Sequence, residues 1–179
     1  TLAVYAEGIR DSSKRLRDRT EYFDAQDEPV LLVFWGDHLP AMGANFGAFR
    51  EIGLTTGDES GVDSALDTYA TPYVIWANEA FDAQYGFRDR VNKLDMGADD
   101  RISDIYLGEL VYELLDMQGA DAYFDYLGQA RRTLSVLCTG RYALPDGTLT
   151  DSLTPEQQAV EDKLPRWTTY PGLGDGVRE

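Results

Sequence analysis

Asp37 and His38 stand side by side in the stretch P-V-L-L-V-F-W-G-D-H-L-P-A-M-G (29–43), just after an apolar run, and His38 is the chain's only histidine. A carboxylate oxygen and an imidazole nitrogen on neighbouring residues of a turn can reach one point, which makes the pair a donor set for Mn²⁺, Zn²⁺ or Mg²⁺. Gly36 relieves the backbone before them, and Pro40 stiffens the loop after them. The same residues also read as a loop histidine bonded to Asp37 or to a backbone carbonyl, with no metal. Two donors fall short of the roughly four to six that a divalent ion takes. Asp58, Glu59, Asp63, Asp99 and Asp100 can supply carboxylates, although acidic loops in so acidic a chain read first as solvated surface.

Other chemistry finds less support. Ser12, Ser13, Ser60 and Ser64 would each have to use His38 as base, and no nucleophile-elbow motif accompanies them. The segment Gly53 to Gly61 contains glycine but is acidic, which disfavours a phosphate cradle. Trp35, Trp76 and Trp167 can form a stacking surface, but the first two fall in runs that read as buried strands and therefore as core. Cys138 follows Val136 and Leu137 and reads as a buried thiol.

The elements that must position Asp37 and His38 are legible on either side. Leu2, Ile9, Leu16 and Phe23 recur at seven-residue intervals with Tyr5 between, so residues 2–24 read as an amphipathic helix that Asp27, Glu28 and Pro29 stop. Val30 to Trp35 is a short, continuous apolar run bounded by Pro and Gly, the pattern of a strand buried on both faces. Tyr73 to Trp76 is a second such run. Between them, 45–52 reads as a short helix and 55–61 as a polar loop.

Downstream, 82–101 reads as a charged surface loop. A strong helix begins near Ser103 and stops by Gly119, and Asp121 to Arg132 forms another. Arg141 to Thr150 carries a Pro-Asp-Gly turn and reads as a hairpin. Thr154-Pro155-Glu156-Gln157 is a capping box that opens a last helix to about Leu164. The expected organisation is one domain over 1–164 and an irregular tail over 165–179. Helix, buried strand, helix and buried strand in succession predict an α/β layered fold with a mainly parallel sheet flanked by helices, with Asp37 and His38 at a strand's carboxyl end, where such sheets bind ligands.

The balance of 16 basic against 32 acidic residues, net −16, repels a nucleic-acid backbone or an anionic membrane over most of the surface. No apolar run approaches the roughly 18 residues that cross a bilayer. The chain begins at Thr1, without Met and inside helical sequence, as a piece of something longer would.

Five stretches in order, Y-A-E-G-I-R-D-S-S-K-R-L-R-D-R-T-E-Y-F (5–23), F-W-G-D-H-L-P-A-M-G (34–43), Y-A-T-P-Y-V-I-W-A-N (69–78), I-S-D-I-Y-L-G-E-L (102–110) and L-P-D-G-T-L-T-D-S-L-T-P-E-Q-Q (144–158), resemble the C-terminal part of lipoteichoic-acid-synthase-like proteins. These are sulfatase-type phosphoglycerol transferases of the alkaline phosphatase superfamily. The resemblance implies that Asp37 and His38 bind the catalytic divalent metal, Mn²⁺ or Mg²⁺. It implies that a threonine nucleophile, the remaining ligands and the membrane-spanning helices lie upstream of Thr1, at the extracellular face of a bacterial cytoplasmic membrane. The implied reaction carries glycerophosphate from a phosphatidylglycerol-like lipid, through a phospho-threonine, to a cell-envelope polymer. This chain by itself is then expected to be inactive and to bind Mn²⁺ weakly. A sulfatase or phosphodiesterase of the same superfamily, or a non-catalytic interaction module, are the alternative readings.

Overall fold

Helix α1, Leu2–Asp24, forms where the seven-residue apolar spacing places it, yet it buries none of its residues. Its one aromatic contact inward is Tyr5, edge-on to Phe49 at 5.5 Å. The computed structural model describes residues 2–40, 42–57 and 60–168, with side chains as far as Leu164. The chain divides into two compact units, Thr1–Lys93 and Leu94–Glu179.

In the first unit α1 leads into strand β1, Leu31–Trp35, and β1 pairs with β2, Tyr73–Ala77. The pairing is antiparallel, Leu31 opposite Ala77 and Trp35 opposite Tyr73. This corrects the expected parallel sheet. A continuous apolar run announces a strand that offers both faces to a partner, but says nothing of direction. Here the chain turns back at the end of β1, and the Gly36 N–H donates to the Pro72 carbonyl at 3.0 Å to close the ladder. The expected burial is also corrected, because Phe34, Trp35 and Val74 are exposed.

The connection between the strands carries α2, Gly47–Glu51, and α3, Val62–Tyr69. Phe49, Ala65 and Leu66 make a small core there. Helix α3 begins just past the segment expected to be loop, of which Asp58 and Glu59 lie outside the described residues. After β2 come α4, Glu79–Tyr85, and α5, Phe87–Val91, where a surface loop was expected. Their boundaries carry ordinary signals: Asn78 caps α4, and Gly86, in the left-handed region at φ 67°, ends it.

The second unit follows its sequence more closely. A 3₁₀ turn at Asp104–Tyr106 opens α6, Leu107–Leu114, and α7 is Ala122–Arg131. Asp121 caps α7 by accepting from the Tyr123 and Phe124 amides. Three short antiparallel strands, β3 Val136–Cys138, β4 Arg141–Ala143 and β5 Leu149–Thr150, follow; the β4–β5 hairpin is where the Pro-Asp-Gly turn puts it. Helix α8, Pro155–Thr168, starts on the expected capping box, with Thr154 Oγ1 accepting from the Gln157 amide at 3.3 Å and Gln157 Oε1 from the Thr154 amide at 2.9 Å. Tyr106, Tyr126, Leu127, Ala130 and Leu164 form its core. Buried Arg131 bridges α7 to α6, donating to Glu109 at 2.7 Å and to Glu113 at 2.6 Å. Gly128 makes room for this bridge, since a Cβ there would stand 2.7 Å from Glu109 Oε1.

The architecture is thus mixed helix and strand, with small antiparallel sheets among the described residues. Helix α8 runs on to Thr168, so residues 165–168 of the expected tail over 165–179 are helical instead of irregular, and 169–179 lie outside the described residues.

Candidate functional site

The turn that carries Asp37 and His38 is fixed from behind by Thr71. Its hydroxyl donates to the Gly36 carbonyl at 2.7 Å. Gly36 is needed for closeness and not for an unusual backbone angle: a Cβ there would lie 3.0 Å from the Thr71 Cβ. With the Gly36 amide on Pro72 and the carbonyl on Thr71, the residue before the acidic–imidazole pair is held on both sides.

Asp37 and His38 are brought together. The His38 backbone N–H donates to Asp37 Oδ1 at 2.9 Å, and His38 Nε2 stands 3.6 Å from Asp37 Oδ2. Both side chains are largely exposed. The other ring nitrogen, Nδ1, lies 3.2 Å from the Leu39 carbonyl. In the tautomer that donates from Nδ1 to that carbonyl, Nε2 keeps its lone pair on the side of Asp37. Two donors that share one ion at about 2 Å each stand roughly 3–3.5 Å apart, so the observed spacing fits a cation between them after a small movement. The backbone carbonyl on Nδ1 is the kind of partner that orients a metal-binding imidazole. The Asp37 carboxyl is held below the usual carboxylate range, first by the His38 amide, then by its own amide and by the charge of His38. It is therefore ionised and ready to ligate at neutral pH.

The placement differs from the expected one in one respect. In a parallel sheet the pair would sit beside the carboxyl end of the second strand. In the antiparallel ribbon it sits beside the beginning of β2, because Trp35 faces Tyr73.

Of the carboxylates considered as further donors, none among the described residues completes a metal-binding group with the pair. Among the described residues no group of three or more His, Cys, Asp or Glu side chains has metal-binding geometry. Asp63 lies in the first turn of α3. Asp99 and Asp100 lie in a 3₁₀ turn of the second unit, and Asp58 and Glu59 are outside the described residues. A groove of about 800 Å³ is lined by Arg50, Glu51, Leu54, Thr55, Asp63 and Asp67, and neither Asp37 nor His38 is on its wall.

Sequence reasoning missed two residues that fasten the ribbon, Thr71 at the end that carries the Asp37–His38 turn and Asn78 at the other end. Thr71 stands before Pro72 and the second apolar run with no local mark of its hold on Gly36. Asn78, 1% exposed, joins three elements through one carboxamide. Its Oδ1 accepts from the Val30 and Phe81 amides, and its Nδ2 donates to the Phe23, Gln26 and Glu28 carbonyls. An Asn followed by Glu at the head of E-A-F-D-A-Q-Y was a visible cap signal; its reach back to the end of α1 was not.

No family model matches the chain, and no solved structure matches it. A Rhizobium meliloti (strain 1021) protein named for cyclic beta-1,2-glucan modification is 27% identical over 79 residues, 44% of this chain and 12% of that protein. The match thus spans a small part of its relative. No helix among the described residues is long and apolar enough to cross a membrane.

Proposed function

We propose that this chain is the metal-bearing C-terminal part of a phosphoglycerol transferase of the alkaline phosphatase superfamily, acting outside the cytoplasmic membrane on a cell-envelope polymer. The observation that carries this reading is the convergence of Asp37 Oδ2 and His38 Nε2 at a turn held by Thr71. The motif resemblance supplies the reaction class. The relative named for glucan modification supports a polyhydroxyl acceptor, because a glucan offers the hydroxyl groups that phosphoglycerol transfer needs.

In this reading Asp37 and His38 hold Mn²⁺ or Mg²⁺ as ligands and take no part as acid or base. Such a cation, held by Asp37 and His38, would supply charge neutralisation at phosphoryl oxygens and would favour the ionised form of an attacking hydroxyl. Asp37 would contribute a carboxylate oxygen, and His38 an imidazole nitrogen of a ring whose Nδ1 lies on the Leu39 carbonyl. Thr71 and Gly36 position the turn. The finer fold assignment, a sulfatase-like layered domain, requires further strands from a longer chain to extend the β1–β2 ribbon.

The test is transfer by a longer protein that contains this chain, with phosphatidylglycerol as donor, a β-glucan as acceptor and saturating Mn²⁺. His38→Ala and Asp37→Ala are each expected to remove nearly all transfer while the melting temperature stays near wild type, and the double variant to lose no more, since ligands of one ion act as a unit. The 179-residue chain alone is expected to bind Mn²⁺ weakly by calorimetry. A His38→Ala protein that retains the wild-type rate refutes the assignment.

A further inference from the structure

The groove of about 800 Å³ lies in the connection between β1 and β2, with α2 and the turn after it on one wall and α3 on the other. Buried hydroxyls join the two walls. Thr55 Oγ1 and Thr68 Oγ1 stand 2.6 Å apart, Thr68 donates on to the Ser64 carbonyl at 2.8 Å, and the Gly57 N–H donates to Thr55 Oγ1 at 3.1 Å. The groove is thus held open in advance, as ligand sites are. Arg50 is set into it by its neighbour: a Cβ on Gly57, at φ 66°, would stand 2.6 Å from Arg50 Cδ, so the glycine makes room for the arginine stem.

The wall chemistry narrows the occupant. From Thr20 to Phe87 Arg50 is the only Lys or Arg, and it shares the groove with Glu51, Asp63 and Asp67. Three carboxylates against one guanidinium leave a net negative wall, which repels a phosphate headgroup or an anionic polymer. A carboxylate only accepts hydrogen bonds and a guanidinium only donates them, whereas a hydroxyl does both, so walls that carry the two together satisfy a row of hydroxyls. Exposed Leu54 adds an apolar patch for the C–H face of a sugar ring. A neutral polyhydroxyl ligand meets each of these conditions.

Position makes that ligand a chain. Asp67 stands four residues before Thr71, two of them in helix, so at most roughly 10 Å of backbone separates the α3 wall from the residue that grips Gly36. An occupant that fills the groove and also reaches Asp37 and His38 is an oligomer. The connection leaves and rejoins the ribbon beyond its last ladder pair, Trp35 and Tyr73, whereas the strands that a longer chain adds run along the ribbon's edges.

Resting on the function proposed above, we propose that this groove, through Arg50, Glu51, Asp63 and Asp67, binds the neutral glucan acceptor and holds a neighbouring sugar toward the Asp37–His38 turn.

A nuclear magnetic resonance titration of the 179-residue chain with unsubstituted cyclic β-1,2-glucan, in EDTA so that no metal takes part, tests the site. Wild type is expected to bind with shifts in the amides of 47–56 and 62–67. Arg50→Ala is expected to bind about tenfold more weakly or worse, as loss of hydrogen bonds from a charged group does. Arg50→Lys recovers little, because the planar fork is gone. Asp67→Ala, on the opposite wall, weakens binding independently, and Arg88→Ala keeps wild-type affinity. Melting curves establish that each variant is folded. Glycerol phosphate at the same concentration is expected to leave the groove amides unmoved; shifts there that depend on Arg50 overturn the neutral ligand and identify an anion site. Wild-type affinity in both folded Arg50→Ala and folded Asp67→Ala, or no groove shifts with wild type at millimolar glucan, overturns the site and leaves the Mn²⁺ assignment standing. In a longer protein that performs the transfer, Arg50→Ala is expected to raise the KM for glucan about tenfold, and a wild-type KM overturns the site. Glucan binding that depends on Arg50, with no Mn²⁺-dependent transfer, sinks the transferase reading alone.

Discussion

At the scale of single residues, Asp37 and His38 are exposed, Gly36 and Thr71 that hold their turn are half-buried, and Asn78, at the other end of the ribbon, is buried. Asn78 has the largest structural role: one carboxamide accepts the Phe81 amide three residues on and the Val30 amide 48 residues back, and reaches three carbonyls 50 to 55 residues back. Asn78→Ala strands those groups and removes the cap of α4, so it is expected to cost about 3 kcal/mol or more, measured by denaturant unfolding. Asn78→Asp keeps the two accepted bonds, turns a carboxylate toward three carbonyls, and is expected to rescue little. Tyr142 gives a prediction in pH. Its hydroxyl donates to Glu161 Oε1 at 2.6 Å, and burial, then the bond to Glu161, push it up to about 12. A raised pKa means that the stabilisation is whole below the ordinary tyrosine value of about 10 and is lost as pH rises through the folded value. The stability difference between wild type and Tyr142→Phe should therefore be constant to about pH 10 and shrink toward pH 12 in equilibrium unfolding. A difference that does not change over that range would show that the Tyr142–Glu161 bond contributes nothing to stability.

At the scale of elements, legibility followed local signals. The capping box at Thr154 and Gln157, the cap at Asp121 and the Pro-Asp-Gly hairpin were readable because each is written within a few neighbouring residues. Both strands of the first unit were readable as strands from their apolar runs. Their direction was not, since it is set by bonds between Gly36 and residues 71 and 72, far off in sequence. Burial failed for the same reason: Phe34, Trp35 and Val74 announce faces that can be covered, and coverage is a property of what packs there. Helices α4 and α5 were hidden by charge, because Asp82, Arg88, Asp89 and Arg90 look like loop residues until Asn78 and Gly86 are recognised as bounds. Of the candidate site, Asp37 and His38 were legible from type and spacing, while Thr71 had no local mark.

At the scale of the whole molecule, burial is divided unequally. Among the described residues, the buried apolar side chains of the first unit are Phe49, Ala65, Leu66 and Phe81, and the second unit holds the remainder. Local opening tracks such burial. Hydrogen exchange of the 179-residue chain is accordingly expected to protect Leu110, Leu127 and Leu134 most and to leave the amides of α1 exchanging fastest among the long helices; slow exchange throughout α1 would show a partner for its apolar stripe. The closed turn at Gly36 and Pro72 reaches further. Everything from Asp37 to Thr71 leaves the ribbon and returns to the same point, fastened by the Gly36–Pro72 and Thr71–Gly36 bonds. Lengthening such an excursion costs only about 0.6 kcal/mol for each doubling. The strands act as a socket and the connection as an insert, so the stretch between the Gly-Asp-His turn and the Thr-Pro-Tyr strand is free to change in length without rebuilding the ribbon beneath.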